Sequence, residues 1–173
     1  VRHGETALNA ARVMQPADTP LSPRGLAQAQ AVAQRLAALR PAAVLSSDLP
    51  RALQTAQAIA AAAGGLAVQT TALLHERHFG DFRGRPHDSF GFDPVAMAEA
   101  PPGGESMAEF LGRVARAFAH AAALRATLDG PLVVVSHGLV IRALLGPHVA
   151  VAPDAPLPAR IGNTSVTEAE AVP

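Results

Sequence analysis

The 173-residue chain contains no Lys, Cys, Tyr or Trp. Without Lys it can form neither a Schiff base nor the lysine contact of a P-loop, so those two enzyme classes are excluded. Without Cys it has no disulfide, no thiolate nucleophile and no thiolate metal site. Phe is the only aromatic residue of the Phe, Tyr and Trp set, and stacking surfaces for nucleic-acid bases are therefore scarce.

Net charge and long apolar runs are lacking as well. The 14 Arg residues balance 14 Asp and Glu residues, which leaves no overall field that would attract nucleic acid or an anionic membrane surface. The longest apolar runs, such as 58–63 and 132–135, are far shorter than the roughly 20 residues of a membrane-spanning helix. We therefore expect a cytoplasmic protein, a monomer or homodimer, with neither a nucleic-acid nor a membrane partner. An upstream strand or a signal peptide before Val1 is left open.

The length and the 49% content of hydrophobic residues fit one domain over 1–173. The composition changes only at about 77–105, where the chain becomes polar and rich in Gly and Pro. We interpret this segment as a short cap or insertion on the domain.

Cap signals and apolar periodicity predict alternating strands and helices. Ser22 and Pro23 are typical of a helix start, and Pro41 ends that helix. Leu26, Val32, Leu36 and Leu39 fall near one face of it. Ser106, with Glu109 at the offset of a capping box, predicts the start of another helix. The further predicted elements are strand 43–46, helix 50–62, strand 66–70, helix 106–124, strand 132–135 and helix 139–145.

This alternation indicates a three-layer α/β/α sandwich with a mostly parallel central sheet. Residues 165–172 alternate with period two, a pattern that favours one more strand. Asp48 is expected to cap the helix that begins at about Pro50.

Two histidines follow strand signals and are each followed by glycine. His3 comes after Val1, and His137 comes after the strand 132–135. Because ligands bind at the carboxyl ends of strands in an open α/β sheet, the two imidazoles can converge on one crevice. Arg51, at the start of a predicted helix, is suited to binding a phosphate there.

Five short motifs occur in one order along the chain. They are Arg2-His3-Gly4-Glu5-Thr6 with Asn9, residues 46–56 around Arg51, Glu76 before Phe79-Gly80, residues 103–106, and Val135-Ser136-His137-Gly138. Together they closely resemble the histidine phosphatase superfamily, which has the phosphoglycerate-mutase-like fold, over essentially the whole length.

The resemblance implies that His3 is the nucleophile and forms a phosphohistidine. It also implies that Arg2, Arg51 and His137 bind and polarise the phosphoryl oxygens, and that Glu76 transfers the proton. Asn9 and Gly138 are further candidates for phosphate binding. No metal and no other cofactor is needed in this scheme.

General chemistry agrees with these roles. A neutral imidazole is a competent nucleophile when a hydrogen bond fixes its tautomer, and the carbonyl of Gly4 is a suitable acceptor. Because arginines lie near Glu76, we expect a lowered pKa for its carboxyl, which the phosphate of a bound substrate would then raise.

Other interpretations remain open. His3, His137 and Glu76 are also a two-histidine, one-carboxylate ligand set for a metal, and the same groups suit a module that only binds a phosphorylated ligand. A phosphoglycerate-mutase-type transfer is a further alternative, although the short segment between Glu76 and Glu105 resembles the cap of the phosphatases. The favoured prediction is a metal-independent phosphatase acting on a small phosphorylated metabolite. Within the cap, solvent exposure is the slightly favoured interpretation for Arg77, Arg83 and Arg85.

Overall fold

The computed structural model describes residues 1–152 and 160–170. Three parallel strands form its central sheet in the order β2-β1-β3, and the middle strand is buried along its whole length. The strands are β1 (Ala43–Ser46), β2 (Val68–Thr70) and β3 (Leu132–Val135).

Helices cover both faces of this sheet. In the described part of the chain they are α1 (Ala7–Ala10), α2 (Pro23–Ala37), α3 (Pro50–Ala62), α4 (Met107–Arg125) and α5 (Gly138–Leu144). Val44, Val133 and Val135 pack against α2 and α3 in one core cluster. Leu45 and Val134, which point to the opposite face, pack with α4 and α5 in a second cluster. The predicted three-layer α/β/α sandwich is confirmed.

The N-terminal residues extend the sheet beyond β3. Ser136 N donates to Val1 O at 2.9 Å, and His3 N donates to Ser136 O at 3.0 Å. Arg2 N in turn donates to Ser165 O at 3.2 Å. The prediction of a last strand over 165–172 is wrong for 165–170, because residues 167–170 are exposed and their alternation faces no core; residues 171–172 lie outside the described residues.

Side-chain caps begin two of the helices as predicted. Ser22 Oγ accepts from Gly25 N at 3.0 Å with Pro23 in the first turn of α2, and Ser106 forms a capping box with Glu109 at the start of α4. The prediction that Asp48 caps α3 is wrong. The N-cap residue of α3 makes no side-chain hydrogen bond, and the carboxylate of Asp48 contacts the imidazole of His75 instead.

Residues 77–105, the segment that we interpret as a cap and call by that name below, contain only single-turn 3₁₀ helices. This cap is attached to the loop that follows α1. Met14 N donates to Arg85 O at 2.9 Å, Gly84 N to Met14 O at 2.7 Å, and His87 N to Arg12 O at 2.8 Å. No helix within residues 1–152 and 160–170 has both the length and the hydropathy of a membrane span.

Candidate active site

A cavity of about 450 Å³ lies at the carboxyl ends of β1 and β3, under the cap. The structure brings six of the seven predicted site residues to its wall: Arg2, His3, Asn9, Arg51, Glu76 and Gly138. The seventh, His137, lies behind His3, and the centroids of the two rings are 5.1 Å apart. Two residues 134 positions apart, His3 and His137, therefore meet as expected because each follows the end of a neighbouring strand segment.

His3 is buried and held in one tautomer. Its Nδ1 lies 2.7 Å from Gly4 O and donates to that carbonyl, so the lone pair is on Nε2. Burial lowers the pKa of His3 well below the ordinary value, and Arg51 and Arg2 lower it further, while the Gly4 carbonyl opposes them. The ring is therefore neutral at physiological pH, as a nitrogen nucleophile must be.

His137 offers a hydrogen-bond donor beside this nucleophile. Its Nε2 lies 3.0 Å from Ser47 Oγ, which itself accepts from Leu49 N. The Ser47 hydroxyl can therefore donate to Nε2, which places the ring proton of His137 on Nδ1. Burial, and then the neighbouring His3 and Arg51, hold the pKa of His137 well below its usual range.

Two buried guanidinium groups flank the histidines. Nη1 of Arg2 donates to Ile161 O, and Nη1 of Arg51 donates to Pro16 O at 3.3 Å. Burial lowers the pKa of Arg51 to about 10, and Arg83 and Arg2 lower it in the same direction while Glu76 opposes them. The side chain therefore stays charged at neutral pH.

Three buried nitrogen atoms at this site have no hydrogen-bond partner among the described residues. They are Arg2 Nε, Arg51 Nε and His137 Nδ1. Buried polar atoms are paired in nearly all folded proteins, so unpaired donors of residues in and beside the cavity are candidates to bind a ligand. Two cationic donors and one neutral donor fit an anion with several oxygens.

Glu76 is held by the backbone on the same wall. Its Oε1 accepts from Arg77 N at 3.1 Å, and its Oε2 accepts from Leu139 N at 3.2 Å. The prediction of a lowered pKa in the absence of a ligand is wrong. Desolvation raises the pKa of Glu76 and outweighs the opposing effects of these two amides and of the site arginines.

Asn163 is a residue of the site that the sequence interpretation missed. Its Nδ2 donates to His3 O at 3.0 Å and to Asn9 Oδ1 at 3.2 Å. Asn9 Oδ1 also accepts from Thr6 N in the capping box of α1, which leaves the Asn9 amide nitrogen for the cavity. Asn163 lies in a turn in which Thr164 adopts a left-handed φ of 54°. The sequence carries no clear signal for this conformation, so the turn could not be predicted.

The three cap arginines differ in their surroundings. The prediction of solvent exposure is wrong for Arg77, which is buried and donates to the carbonyl oxygens of Val95, Glu99 and Glu105. Arg83 is half-buried and lines the cavity, so it is not simply solvated. Exposure is confirmed for Arg85, whose guanidinium lies over the ring of Phe90.

No group of three His, Asp or Glu side chains in the described part of the chain is placed to hold a metal ion. The ligand set of His3, His137 and Glu76 therefore has no geometric support as a metal centre. The unpaired buried donors of the site are instead N–H groups of two arginines and one histidine, a set that suits an anion better than a cation.

Many classes of protein have an anion site of this kind, and comparison with known families shows to which family this chain belongs. A model of the histidine phosphatase superfamily (branch 1) matches residues 1–172. The chain belongs to this superfamily.

Curated members of the superfamily align with nearly the whole chain. Phosphoglycerate mutase-like protein 4 of Arabidopsis thaliana is 39% identical over 178 residues, covering 96% of this chain and 75% of that protein. The probable phosphoglycerate mutase GpmB of Yersinia enterocolitica is 36% identical over 184 residues, covering 98% of this chain and 82% of that protein.

Solved structures of the superfamily share the fold. A mycobacterial glucosyl-3-phosphoglycerate phosphatase, complexed with VO₃, matches with a TM-score of 0.73 and 35% identity, over 83% of this chain and 75% of that one. A putative alpha-ribazole-5′-P phosphatase of Escherichia coli matches with a TM-score of 0.72 and 31% identity, over 82% of this chain and 73% of that one. The predicted phosphoglycerate-mutase-like fold is confirmed.

Proposed function

We propose that this member of the superfamily is a metal-independent phosphatase that hydrolyses small phosphomonoesters through a phosphohistidine on His3. The observation that carries the proposal is the neutral His3 ring, fixed by Gly4 O, beside two buried arginines whose Nε atoms lack partners. This set provides a nucleophile and an oxyanion site in one cavity.

The first step transfers the phosphoryl group to the enzyme. Nε2 of His3 attacks phosphorus, the bond from phosphorus to the ester oxygen breaks, and the carboxyl of Glu76 gives its proton to the departing oxygen. The raised pKa of Glu76 favours the protonated form that this step needs. The phosphorylated ring becomes cationic, and its Nδ1 proton remains hydrogen-bonded to Gly4 O.

The second step hydrolyses the phosphohistidine. Water attacks phosphorus and gives a proton to the carboxylate of Glu76, and the bond from phosphorus to Nε2 breaks. Inorganic phosphate leaves, His3 is neutral again and Glu76 is protonated again, so the cycle closes without an external acid or base. Arg2, Arg51 and the Nδ1 proton of His137 stabilise the equatorial oxygens in both steps.

Hydrolysis is preferred to mutase-type transfer on the architecture of the cap. A mutase must keep water from the phosphohistidine until the group returns to substrate. Here the described cap contains no helix longer than one 3₁₀ turn, and it is short. The solved relatives above carry the names of phosphatases, which supports hydrolysis. The curated relatives are named as a phosphoglycerate mutase-like protein and a probable phosphoglycerate mutase, which keeps the mutase as the second candidate.

The test compares turnover of p-nitrophenyl phosphate with and without EDTA, alongside isomerisation of 3-phosphoglycerate to 2-phosphoglycerate. We expect phosphate release that EDTA leaves unchanged and that His3→Ala abolishes. His120→Ala, at an exposed position of α4, is the matched control and should retain full activity. Isomerisation faster than phosphate release would favour the mutase, and activity lost to EDTA would contradict the metal-free mechanism.

A further inference from the structure

The general acid of the mechanism above, Glu76, lies in a segment without regular secondary structure. Residues 75–79 belong to no helix or strand, and no backbone N–H of the described residues donates to the carbonyl groups of His75 and Glu76. A general acid must nevertheless be held within hydrogen-bond reach of the oxygen that it protonates. Contacts other than those of a helix or a sheet must therefore fix this part of the chain.

The guanidinium of Arg113, on α4, contacts the backbone of this segment. Nη1 donates to Leu73 O at 2.9 Å and to His75 O at 2.7 Å, and Nη2 donates to Glu76 O at 3.4 Å. One side chain thus binds three carbonyl groups of residues 73–76, and the last of these groups belongs to Glu76 itself.

Glu105 holds Arg113 in place. Its Oε1 accepts from Arg113 Nε at 2.8 Å and its Oε2 accepts from Arg113 Nη2 at 2.7 Å, and the two side chains are only 15% and 14% exposed. Burial alone would raise the pKa of Glu105, but the hydrogen bonds and the charge of Arg113 lower it, so the pair is ionised. Glu105 Oε2 also accepts from His78 N at 3.3 Å, and Glu105 N donates to His78 O at 2.8 Å. The pair therefore fixes the chain on both sides of Glu76.

Arg113 has no donor left for a substrate. A guanidinium group has five N–H bonds, and here two of them meet the carboxylate of Glu105 and three meet the backbone carbonyl groups. Arg2 and Arg51 differ, since their Nε atoms have no partner among the described residues. Arg113 and Glu105 line a smaller cavity of about 370 Å³ beside Glu76, but the N–H bonds of Arg113 are already occupied. Arg113 therefore acts on the chain rather than on a ligand.

Energetic considerations also favour a geometric role for the pair. A buried ion pair often adds no stability over apolar residues of the same volume. By contrast, displacing a reacting group by about 1 Å can slow a reaction by about 10²-fold. We propose that Arg113 and Glu105 are positioning residues for Glu76, which fix residues 73–78 so that its carboxyl stays at the wall of the phosphoryl cavity. The proposal rests on the phosphatase function above and concerns the acid step of that mechanism.

Two variants test this role. The paired variant, Arg113→Met with Glu105→Gln, removes the contacts to the carbonyl groups without leaving an unpaired charge inside the protein. Arg113→Lys keeps the charge, but its compact ammonium group cannot reproduce five hydrogen bonds in a planar fork. Arg116→Met, at an exposed position of the same helix, is the matched control. Melting temperatures within a few degrees of wild type show that each variant is folded, and Arg113→Lys alone decides if the paired variant does not fold.

Rapid-quench measurement of phosphoenzyme formation compares two esters. With glycerol 3-phosphate, whose leaving group needs a proton, we expect the paired variant to be about 10²-fold slower than wild type and Arg113→Lys to lie in between. With p-nitrophenyl phosphate both variants should be close to wild type, because p-nitrophenolate leaves without a proton. Arg116→Met should match wild type with both esters. Added to Glu76→Gln, the paired variant should cause no further loss with glycerol 3-phosphate, since both changes remove the same function.

A purely structural role of the pair predicts a different pattern, because general damage to the fold would slow the reaction of both esters. Equal losses with the two esters would therefore overturn the proposal. A full further loss in the Glu76→Gln protein would overturn it as well.

A crystal structure of the paired variant provides a readout that does not depend on turnover. We expect the Glu76 carboxyl to have moved away from Leu139 N, while His3 Nδ1 still lies against Gly4 O. A carboxyl in its wild-type position would overturn the proposal. If the wild-type chain formed no phosphoenzyme with either ester, the phosphatase function would be refuted, and the crystal structure would still decide the role of Arg113.

Discussion

Burial moves the pKa values of two neighbouring side chains in opposite directions. It lowers the pKa of His3 and raises that of Glu76, so each group favours its neutral form. A neutral imidazole can attack phosphorus, and a neutral carboxyl can donate a proton to the departing oxygen. In the mechanism that we propose, both reactants are therefore prepared before substrate binds, as pairs of catalytic groups in other enzymes are.

The substitution Glu76→Gln tests whether Glu76 is the general acid. We expect turnover of an alkyl phosphate to fall by about 10²–10⁴-fold, the usual contribution of general acid catalysis. The rate of phosphoenzyme formation from p-nitrophenyl phosphate should fall much less, because p-nitrophenolate leaves without a proton. Rapid-quench measurement of phosphoenzyme formation with both esters checks this. Equal losses with the two esters would argue against Glu76 as the acid.

The pH dependence gives a second prediction for Glu76. Because an alkyl leaving group needs a protonated acid, kcat/KM for an alkyl phosphate should fall as pH rises through the pKa of Glu76. Desolvation places this fall above the ordinary value of 4.5. The fall should be absent from the residual activity of Glu76→Gln, measured from the same pH–rate profiles. A variant that kept the wild-type profile would assign the ionisation to another group.

Single residues show where sequence interpretation succeeds and where it fails. Arg2, His3 and Glu76 belong to motifs, and the structure brings them to one cavity. Asn163 could not be found, because its bonds to His3 and Asn9 join parts of the chain about 160 residues apart. The pKa of Glu76 could not be predicted either, since it depends on how far burial outweighs two arginines, and burial is set by tertiary packing.

Helix α2 sets the position of the nucleophile. A Cβ atom on Gly25 would lie 1.9 Å from Glu5 O, and one on Gly4 would lie 2.6 Å from Gly25 O. Neither distance is possible for real atoms, so the helix and the segment that carries His3 pack backbone against backbone. Ser22 N also donates to Glu5 O at 2.9 Å. This contact explains why two glycines face each other beside the site.

Gly25→Ala should therefore destabilise the protein by about 1–3 kcal/mol, the usual cost of overpacking. It should also lower kcat because the segment around His3 is displaced. Gly112→Ala, in the exposed middle of α4, is the control, since its Cβ would meet only Arg116 Nη1 at 3.9 Å. That change should stabilise by up to about 1 kcal/mol through helix propensity.

Urea unfolding and kcat of both variants check the prediction. Opposite signs for the two changes in the free energy of unfolding, with kcat lowered only in Gly25→Ala, support the packing role of α2. A Gly25→Ala enzyme with wild-type stability and activity would contradict it.

At the level of elements, two of the three predicted helix caps are present, and Asp48 is the exception. Ser22 and Ser106 cap helices as predicted, because the hydrogen bonds of an N-cap are local and recur with the same residue types. Burial was less predictable: of the four residues expected to share one face, Val32 and Leu36 are buried, whereas Leu26 and Leu39 are 48% and 50% exposed. Apolar periodicity indicates which residues share a helix face, but tertiary packing decides how many of them are buried.

Across the whole molecule, zero net charge hides a strongly uneven distribution. Half of the arginines line one cavity, while overall the chain is balanced. Two buried neutral histidines lie in the middle of this charge. Their protonation on unfolding links the stability of the whole protein to pH.

The sign of that linkage follows from the pKa shifts. The folded-state pKa values of His3 and His137 lie well below 6.5, so the stability they contribute is full above pH 6.5 and is lost as pH falls below it. Glu76 acts oppositely, because its raised pKa stabilises the folded state at low pH relative to neutral pH. Two histidines outnumber one carboxyl, and we expect the free energy of unfolding to fall from pH 6.5 towards pH 5.

His137→Asn removes one of these protonations. Between pH 6 and pH 5 the slope of unfolding free energy against pH should decrease by up to about 1.4 kcal/mol per pH unit relative to wild type. Urea titrations at several pH values measure the slope, and His120→Asn, at an exposed position, is the control. Parallel slopes for wild type and His137→Asn would show that folding does not lower the pKa of His137.

The most direct test of the whole account is to trap the phosphorylated enzyme. The protein is mixed with p-nitrophenyl phosphate, quenched at alkaline pH within milliseconds to preserve an acid-labile phosphohistidine, digested and analysed by mass spectrometry. We predict one phosphoryl group on the peptide containing Arg2 and His3, localised to His3 and absent from His3→Ala. Turnover without any phosphoenzyme, or a phosphoryl group localised to His137, would contradict the assignment of His3 as the nucleophile.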